Sequence, residues 1–158
     1  MNVQPQLARN KMKIPYEDLQ KIIDLHKKFL SGESGGERAA LMCVDLYGVN
    51  LASVNLKGAN LEGASLRRAV LWMTNLEGAN LKGANLKHAV LEGANLKYAS
   101  LNGACLKGVN LEHSDLRGAN LANADLENSS FEGAKYDNNT VWPDNFDPRT
   151  VGTIYFNE

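Results

Sequence analysis

Leucine recurs at every fifth position from Leu41 to Leu126, eighteen times without interruption, and Phe131, Tyr136 and Val141 extend the register. Two residues before each of these stands a small side chain: Ala39, Val44, Val49, Val54, Ala59 and then mostly alanine through Ala134. The residue directly before is usually Asn, Asp or Ser, as in Asn60-Leu61 and Asp115-Leu116. A period of five matches neither the 3.6 of a helix nor the 2.0 of a simple strand. It closes if the large residue and the small one two before it both point inward, so that each five-residue unit forms one side of a coil and turns a corner. Four corners make a square of twenty residues, and Ala39 to Asn138 then predicts about five rungs, stacked about 4.8 Å apart by backbone hydrogen bonds. The expected architecture is an all-β solenoid with a leucine-filled axis.

The position two after each leucine is Gly in ten of twenty units, including Gly58, Gly63, Gly78 and Gly83, which suits the positive φ of a type II turn. Corners ending in Arg68, Met73, His88, Tyr98 and His113 are expected to avoid positive φ, because a Cβ makes it costly. An open solenoid exposes its apolar axis and unpaired edges, so both ends need covers. Leu19, Ile22, Ile23, His26 and Leu30 fall on one face of a helix predicted from about Tyr16 to Leu30, with Pro15 suited to its first turn and Gly32 to its stop. The stretch Ser31–Arg38, SGESGGER, reads as a flexible link, and its glycines lack the spacing of a phosphate-binding loop. Trp142, Phe146, Val151, Ile154, Tyr155 and Phe156 supply an apolar lid at the far end. The expected organisation is an arm, cap helix and link over residues 1–38, the coil over 39–138, and a C-terminal lid over 139–158.

Units such as Ala59-Asn60-Leu61-Glu62-Gly63 and Ala79-Asn80-Leu81-Lys82-Gly83 resemble the A(D/N)LXX motif of pentapeptide repeat proteins. That resemblance, spanning about two thirds of the chain, implies a right-handed quadrilateral β-helix. The approach from His26 through Phe29-Leu30 to Gly36-Glu-Arg-Ala39 and the tail from Tyr136 to Pro148 resemble the flanks of cyanobacterial-type members. The family is functionally mixed: most members have no assigned activity, and a few protect gyrase as DNA mimics.

Charge narrows the function classes. Seventeen Lys and Arg against eighteen Asp and Glu leave a net charge of -1, without the basic excess of a nucleic-acid binder or the acidic excess of a DNA mimic. The repeat region alone has nine basic and ten acidic side chains. The first twenty residues contain no apolar run of signal-peptide length and no stretch is long enough to span a membrane, so a cytoplasmic protein is expected. Cys43 and Cys105 fall outward, three rungs apart, too far for a disulfide.

No catalytic constellation emerges. His26, His88 and His113 lie on separate parts of the fold and cannot jointly hold zinc. His26, Glu33 and Glu37 are the only polar candidates for an enzyme site between cap and first rung. No cofactor is implied. Two outer faces carry more information, since residues twenty apart stack. Arg67, Arg68, Lys87, His88 and Lys107 form a basic strip ending at Asp125 and Glu127, either a solvated face or a site for an acidic partner. The next face stacks Glu92, Glu112 and Glu132. On that face Val70 and Val90 replace the usual Asn, Asp or Ser, with Trp72 and Met73 beside them and Ala52 one rung before. Either the arm before Tyr16 folds down over this apolar group or it is a protein-docking patch. The reading is a non-enzymatic scaffold or protein-interaction module, a monomer or end-to-end dimer. A gyrase-protecting DNA mimic and an enzyme with a site at the cap are the alternatives.

Overall fold

The computed structural model describes residues 12–157. Parallel bridges join residues twenty apart along four ladders, for example Asp45 to Ser65, Asn85, Cys105 and Asp125 in succession. From Leu41 to Leu116 each leucine N–H of the ladder donates to the carbonyl nineteen residues ahead, as from Leu61 to Asn80 at 2.7 Å, and the residue that supplies this carbonyl donates its own N–H back, as from Asn80 to Ala59 at 2.9 Å. The chain is therefore a β-helical solenoid, satisfied from coil to coil rather than within a strand. Leucines of the ladder from Leu41 to Leu121 are at most 2% exposed, and the alanines two before them close the gaps at the corners. Where a hydroxyl replaces alanine inside, it reaches a backbone carbonyl: Thr74 Oγ1 donates to Leu51 and Ser114 Oγ to Leu111, both at 2.7 Å. Burial without such a partner would be destabilising.

The recurrent Asn or Asp has a backbone role. Its Oδ1 accepts the N–H two residues on, as in Asn80 to Lys82 and Asn95 to Lys97, both 3.1 Å. This Asx turn holds the chain at the start of each corner.

The corners correct one expectation. Arg68, Met73, His88, Tyr98 and His113 all have positive φ, between 52° and 60°, in the same left-handed region as Gly83 at 62°. The reason is the ladder. At Tyr98, for instance, the corner N–H donates to the Arg117 carbonyl at 3.0 Å while the Ala99 N–H closes the turn on Leu96, also at 3.0 Å. Any other conformation would break both bonds, a larger loss than the roughly 1–2 kcal/mol that the left-handed region costs a residue with a Cβ. Four of these bulky corners, all but Arg68, also lie over glycine in the next coil. A Cβ built on Gly93, Gly108, Gly118 or Gly133 would crowd Met73, His88, Tyr98 or His113 respectively.

A second departure sits at the last corner. Asn120 bridges Val141, twenty-one residues on, and Thr140 takes the inward small position with its Oγ1 donating to the Leu116 carbonyl at 3.0 Å. Val141 therefore does not continue the leucine register; it faces outward, with 46% exposure. Asp137 accounts for the extra residue, because its Oδ1 accepts from the N–H groups of Gly118 and Asn139 while its own N–H donates to Thr140 Oγ1 at 3.1 Å.

Before the coil, strand β1 (Met12–Lys13) pairs in parallel with β2 (Val44–Asp45), and helix α1 spans Tyr16–Ser31. Leu19 and His26 are buried, with Ile22 and Ile23 packed against the end of the leucine column. Gly32 stops α1 in the left-handed conformation at φ 73°, where the Glu33 N–H donates to Lys28 at 2.9 Å. The glycine-rich stretch after it is not a free link. Gly36 lies against the helix so closely that a Cβ there would fall 2.2 Å from the Phe29 nitrogen, and the Glu37 N–H donates to the Leu25 carbonyl at 3.0 Å.

At the other end Trp142 stacks on Phe146 at 5.0 Å and meets Phe131 and Tyr136 edge-on, both at 5.8 Å. A 3-10 turn (Pro148–Thr150) leads to strand β4 (Ile154–Tyr155), which pairs in parallel with β3 (Lys135–Tyr136). The tail thus extends the ladder. Ile154 and Tyr155 do not fill the lid but stand about half exposed, and Phe156 lies between Arg117 at 5.1 Å and Lys135 at 5.5 Å.

Candidate functional site

The capped end offers one unusual side chain. His26 is wholly buried; its Nδ1 accepts the Ala39 N–H at 3.1 Å, so the neutral ring carries its proton on Nε2, which has no hydrogen-bond partner. Burial holds the imidazole below its usual range, opposed by the Lys57 backbone and reinforced by the charge of Arg38. Glu33 accepts from Ser31 Oγ at 2.6 Å, and Glu37 is exposed beside Arg38. The three groups His26, Glu33 and Glu37 are not brought together around a shared cleft. His26 instead ties α1 to the first residue of the coil.

That tie is sensitive to pH in a defined direction. A histidine whose folded value is lowered binds its proton more readily when unfolded, so its stabilising contribution is complete above the unfolded value of about 6.5 and is lost as pH falls below it. Urea midpoints are expected to fall between pH 7.5 and pH 5.0, and the fall is expected to flatten in His26→Leu. An equal fall in both proteins would show that the dependence lies elsewhere.

The basic strip is engaged at both ends and neutralised at one. Arg67 lies over the Tyr47 ring at 5.9 Å, and Lys107 pairs with Glu127 at 2.6 Å and Asp125 at 3.2 Å. Hydrogen bonds to Glu127 and then Asp125 push the Lys107 amine above its ordinary range. Arg68 and His88 project from corners, with His88 over Gly108, and the Lys87 backbone N–H donates to Asn85 Oδ1 at 3.1 Å. Tyr47 stands twenty residues before Arg67, so the same spacing that revealed the strip also contained this ring, which the sequence reading passed over. The thiols of Cys43 and Cys105 are free. Among the described residues no group of three or more His, Cys, Asp or Glu side chains could hold a metal ion.

The remaining face is of a different kind. Val70 and Val90 bridge each other on one ladder between Asn50 and Asn110. Being valines, they offer no Asx acceptor to Trp72 or Glu92, the bond that Asn50 and Asn110 give to Ala52 and Glu112. Beside them Trp72 is 44% and Met73 55% exposed, with Met73 leaning over Gly93. The described end of the arm runs elsewhere: β1 adds to the Asp45 ladder, leaving Trp72 open to solvent among the described residues. The rest of the arm, expected as one possible cover, lies outside the described residues.

Above the patch stand Glu92, Glu112 and Glu132. Glu112 Oε1 accepts from Ser130 Oγ at 2.6 Å and Glu92 Oε2 from Asn110 Nδ2 at 3.5 Å. Among the described residues none of the three is in an ion pair. Elsewhere opposite charges meet, as in Lys57–Glu77 at 2.9 Å. Arg117 and Asp115 do so within one corner at 2.7 Å; burial opposes ionisation of Asp115, but the Arg117 guanidinium prevails and holds its carboxyl below the usual range.

Comparison with known proteins agrees with this architecture. The family model for pentapeptide repeats matches in eight copies over residues 45–83, 74–112 and 104–135. Among solved structures, a pentapeptide repeat protein, Rfr23, from the cyanobacterium Cyanothece 51142 is 42% identical, with a TM-score of 0.59 over 59% of this chain and 63% of that one. A pentapeptide repeat protein of the Arabidopsis thaliana thylakoid lumen is 29% identical, with a TM-score of 0.58 over 60% of this chain and 66% of that one. The chain thus spans less than two thirds of either structure. No curated protein matches it. Among the described residues no helix is long and apolar enough to cross a membrane.

Proposed function

The chain belongs to the pentapeptide-repeat family, whose members fold as right-handed quadrilateral β-helices, and from that premise we propose that it is a non-enzymatic scaffold that binds another protein. The coil comprises five right-handed rungs between the helical cap and the aromatic lid, and its docking face is formed by Val70, Trp72, Met73 and Val90. The observation that carries this reading is the exposure of Trp72 and Met73 beside two valines on a coil whose outward positions are otherwise mostly polar. Soluble monomers seldom display a contiguous apolar group of this kind without a use for it. Aromatic side chains on a rigid support lose little entropy on binding and serve well as anchors. The free thiols Cys43 and Cys105 suit a reducing, cytoplasmic setting.

The alternatives have less behind them. An enzyme site at the cap would need His26 to face a cleft, and it faces the Ala39 N–H instead. A DNA mimic would need a continuous negative surface, whereas the acidic residues of the coil are interleaved with cations such as Lys57 and Lys107.

Tryptophan fluorescence tests the proposal in the full chain, with Trp142→Phe introduced so that Trp72 reports alone. Red-shifted emission, readily quenched by acrylamide, is the expected result for an open docking face. Blue-shifted emission protected from quencher would mean that the chain covers the patch itself and would remove the docking reading.

A further inference from the structure

The docking face has a polarity along the coil axis, apolar at one end and acidic at the other, and we infer that its partner is an amphipathic α-helix lying parallel to that axis, with an apolar residue over Trp72 and basic residues over Glu92, Glu112 and Glu132. The inference rests on the docking reading above and adds the chemistry and geometry of the partner.

Spacing selects a helix. Trp72, Glu92, Glu112 and Glu132 occupy the same position in successive coils, so they stand about 0, 4.8, 9.6 and 14.4 Å along the axis. Residues i, i+3, i+7 and i+10 of an α-helix stand about 0, 4.5, 10.5 and 15 Å along its own axis and share one face. An extended strand repeats on one face about every 6.6 Å and slips out of step by the second contact. The apolar end is wide enough for more than one anchor, because Val70, Met73 and Val90 flank Trp72.

Charge selects the sign. Glu92, Glu112 and Glu132 repel one another at coil spacing, and among the described residues they have no cation of their own. Two have hydrogen-bond donors, Asn110 and Ser130, that hold the carboxylates in place along the column. A partner supplying Lys or Arg at i+3, i+7 and i+10 would relieve that repulsion, while an acidic helix would be turned away.

A dye-labelled synthetic helix carrying Leu at i and Lys at i+3, i+7 and i+10, with alanine and glutamine elsewhere, is titrated with the full chain and followed by fluorescence anisotropy. Saturable binding is expected, weakened about tenfold by Glu92→Gln, Glu112→Gln and Glu132→Gln together, and weakened as well by Trp72→Ala and by added salt. A peptide of the same composition with its lysines moved to the opposite face is expected to bind no better than the Gln variant binds the first. Absence of binding, or equal binding of the two peptides, would overturn the inference. Indifference to the Gln substitutions with continued dependence on Trp72 would overturn the helix geometry while leaving the docking reading intact. A Trp72 shielded from quencher in the intact chain would remove both.

Discussion

Replacing Leu81 with alanine is expected to destabilise the protein by about 2–5 kcal/mol, through lost transfer energy and the cavity left behind. Leu81 has no exposed surface and is held between the leucines of the coils above and below, Leu61 and Leu101, which are equally enclosed. A solenoid makes such a loss hard to repair. Each coil contacts only its neighbours, and the ladder bonds fix the backbone on both sides, so the walls cannot collapse inward. The adjacent Lys82→Ala, exposed on the outer face, is expected to move stability by no more than about 0.5 kcal/mol. Urea midpoints at unchanged slope provide the measurement. Equal shifts for the two variants would show that the leucine register does not point inward.

Gly36→Ala is expected to cost at least about 3 kcal/mol, at the upper end of what overpacking usually does. A Cβ there would lie 2.2 Å from the Phe29 nitrogen and 2.5 Å from the Lys28 carbonyl carbon, both backbone atoms of α1 that cannot turn aside as a side chain would. The return of the chain would have to lift off the helix, breaking the Glu37 to Leu25 hydrogen bond and drawing His26 away from Ala39. Gly35→Ala makes the control. Its position has open space around it and a φ of +76°, so only the left-handed strain of about 1–2 kcal/mol applies. Thermal unfolding followed by helical circular dichroism would separate the two. A Gly36→Ala protein no less stable than Gly35→Ala would mean that the segment is the free link its composition resembles.

The contrast between these two variants marks how far residue patterns reach. Leu81 was legible because every five-residue unit repeats the same inward and outward choice, and a side chain's direction within a unit is a local property of the backbone. The apolar group at Val70, Trp72, Met73 and Val90 was legible for the same reason, as a break in an outward polar pattern that a twenty-residue count gathers onto one face. Gly36 was not legible. Glycine in a polar stretch signals freedom when read alone, and only the approach of Phe29 turns it into a point of contact.

By itself, then, the sequence determined the coil, its twenty-residue turn, its leucine axis and the juxtaposition of residues on each outer face, since all of these follow from one short period repeated. Tertiary structure decided what depends on bonds between coils. Arg68, Met73, His88, Tyr98 and His113 adopt positive φ against their own preference because neighbouring coils require their N–H groups. Thr140 takes the inward place one step ahead of Val141 because Asp137 gathers two backbone N–H donors at that corner. His26 points its Nδ1 at the coil because the first residue there, Ala39, offers an N–H at the buried end. In each case a backbone group cut off from water needs a partner, and the free energy of leaving it unpaired outweighs the local preference that composition records.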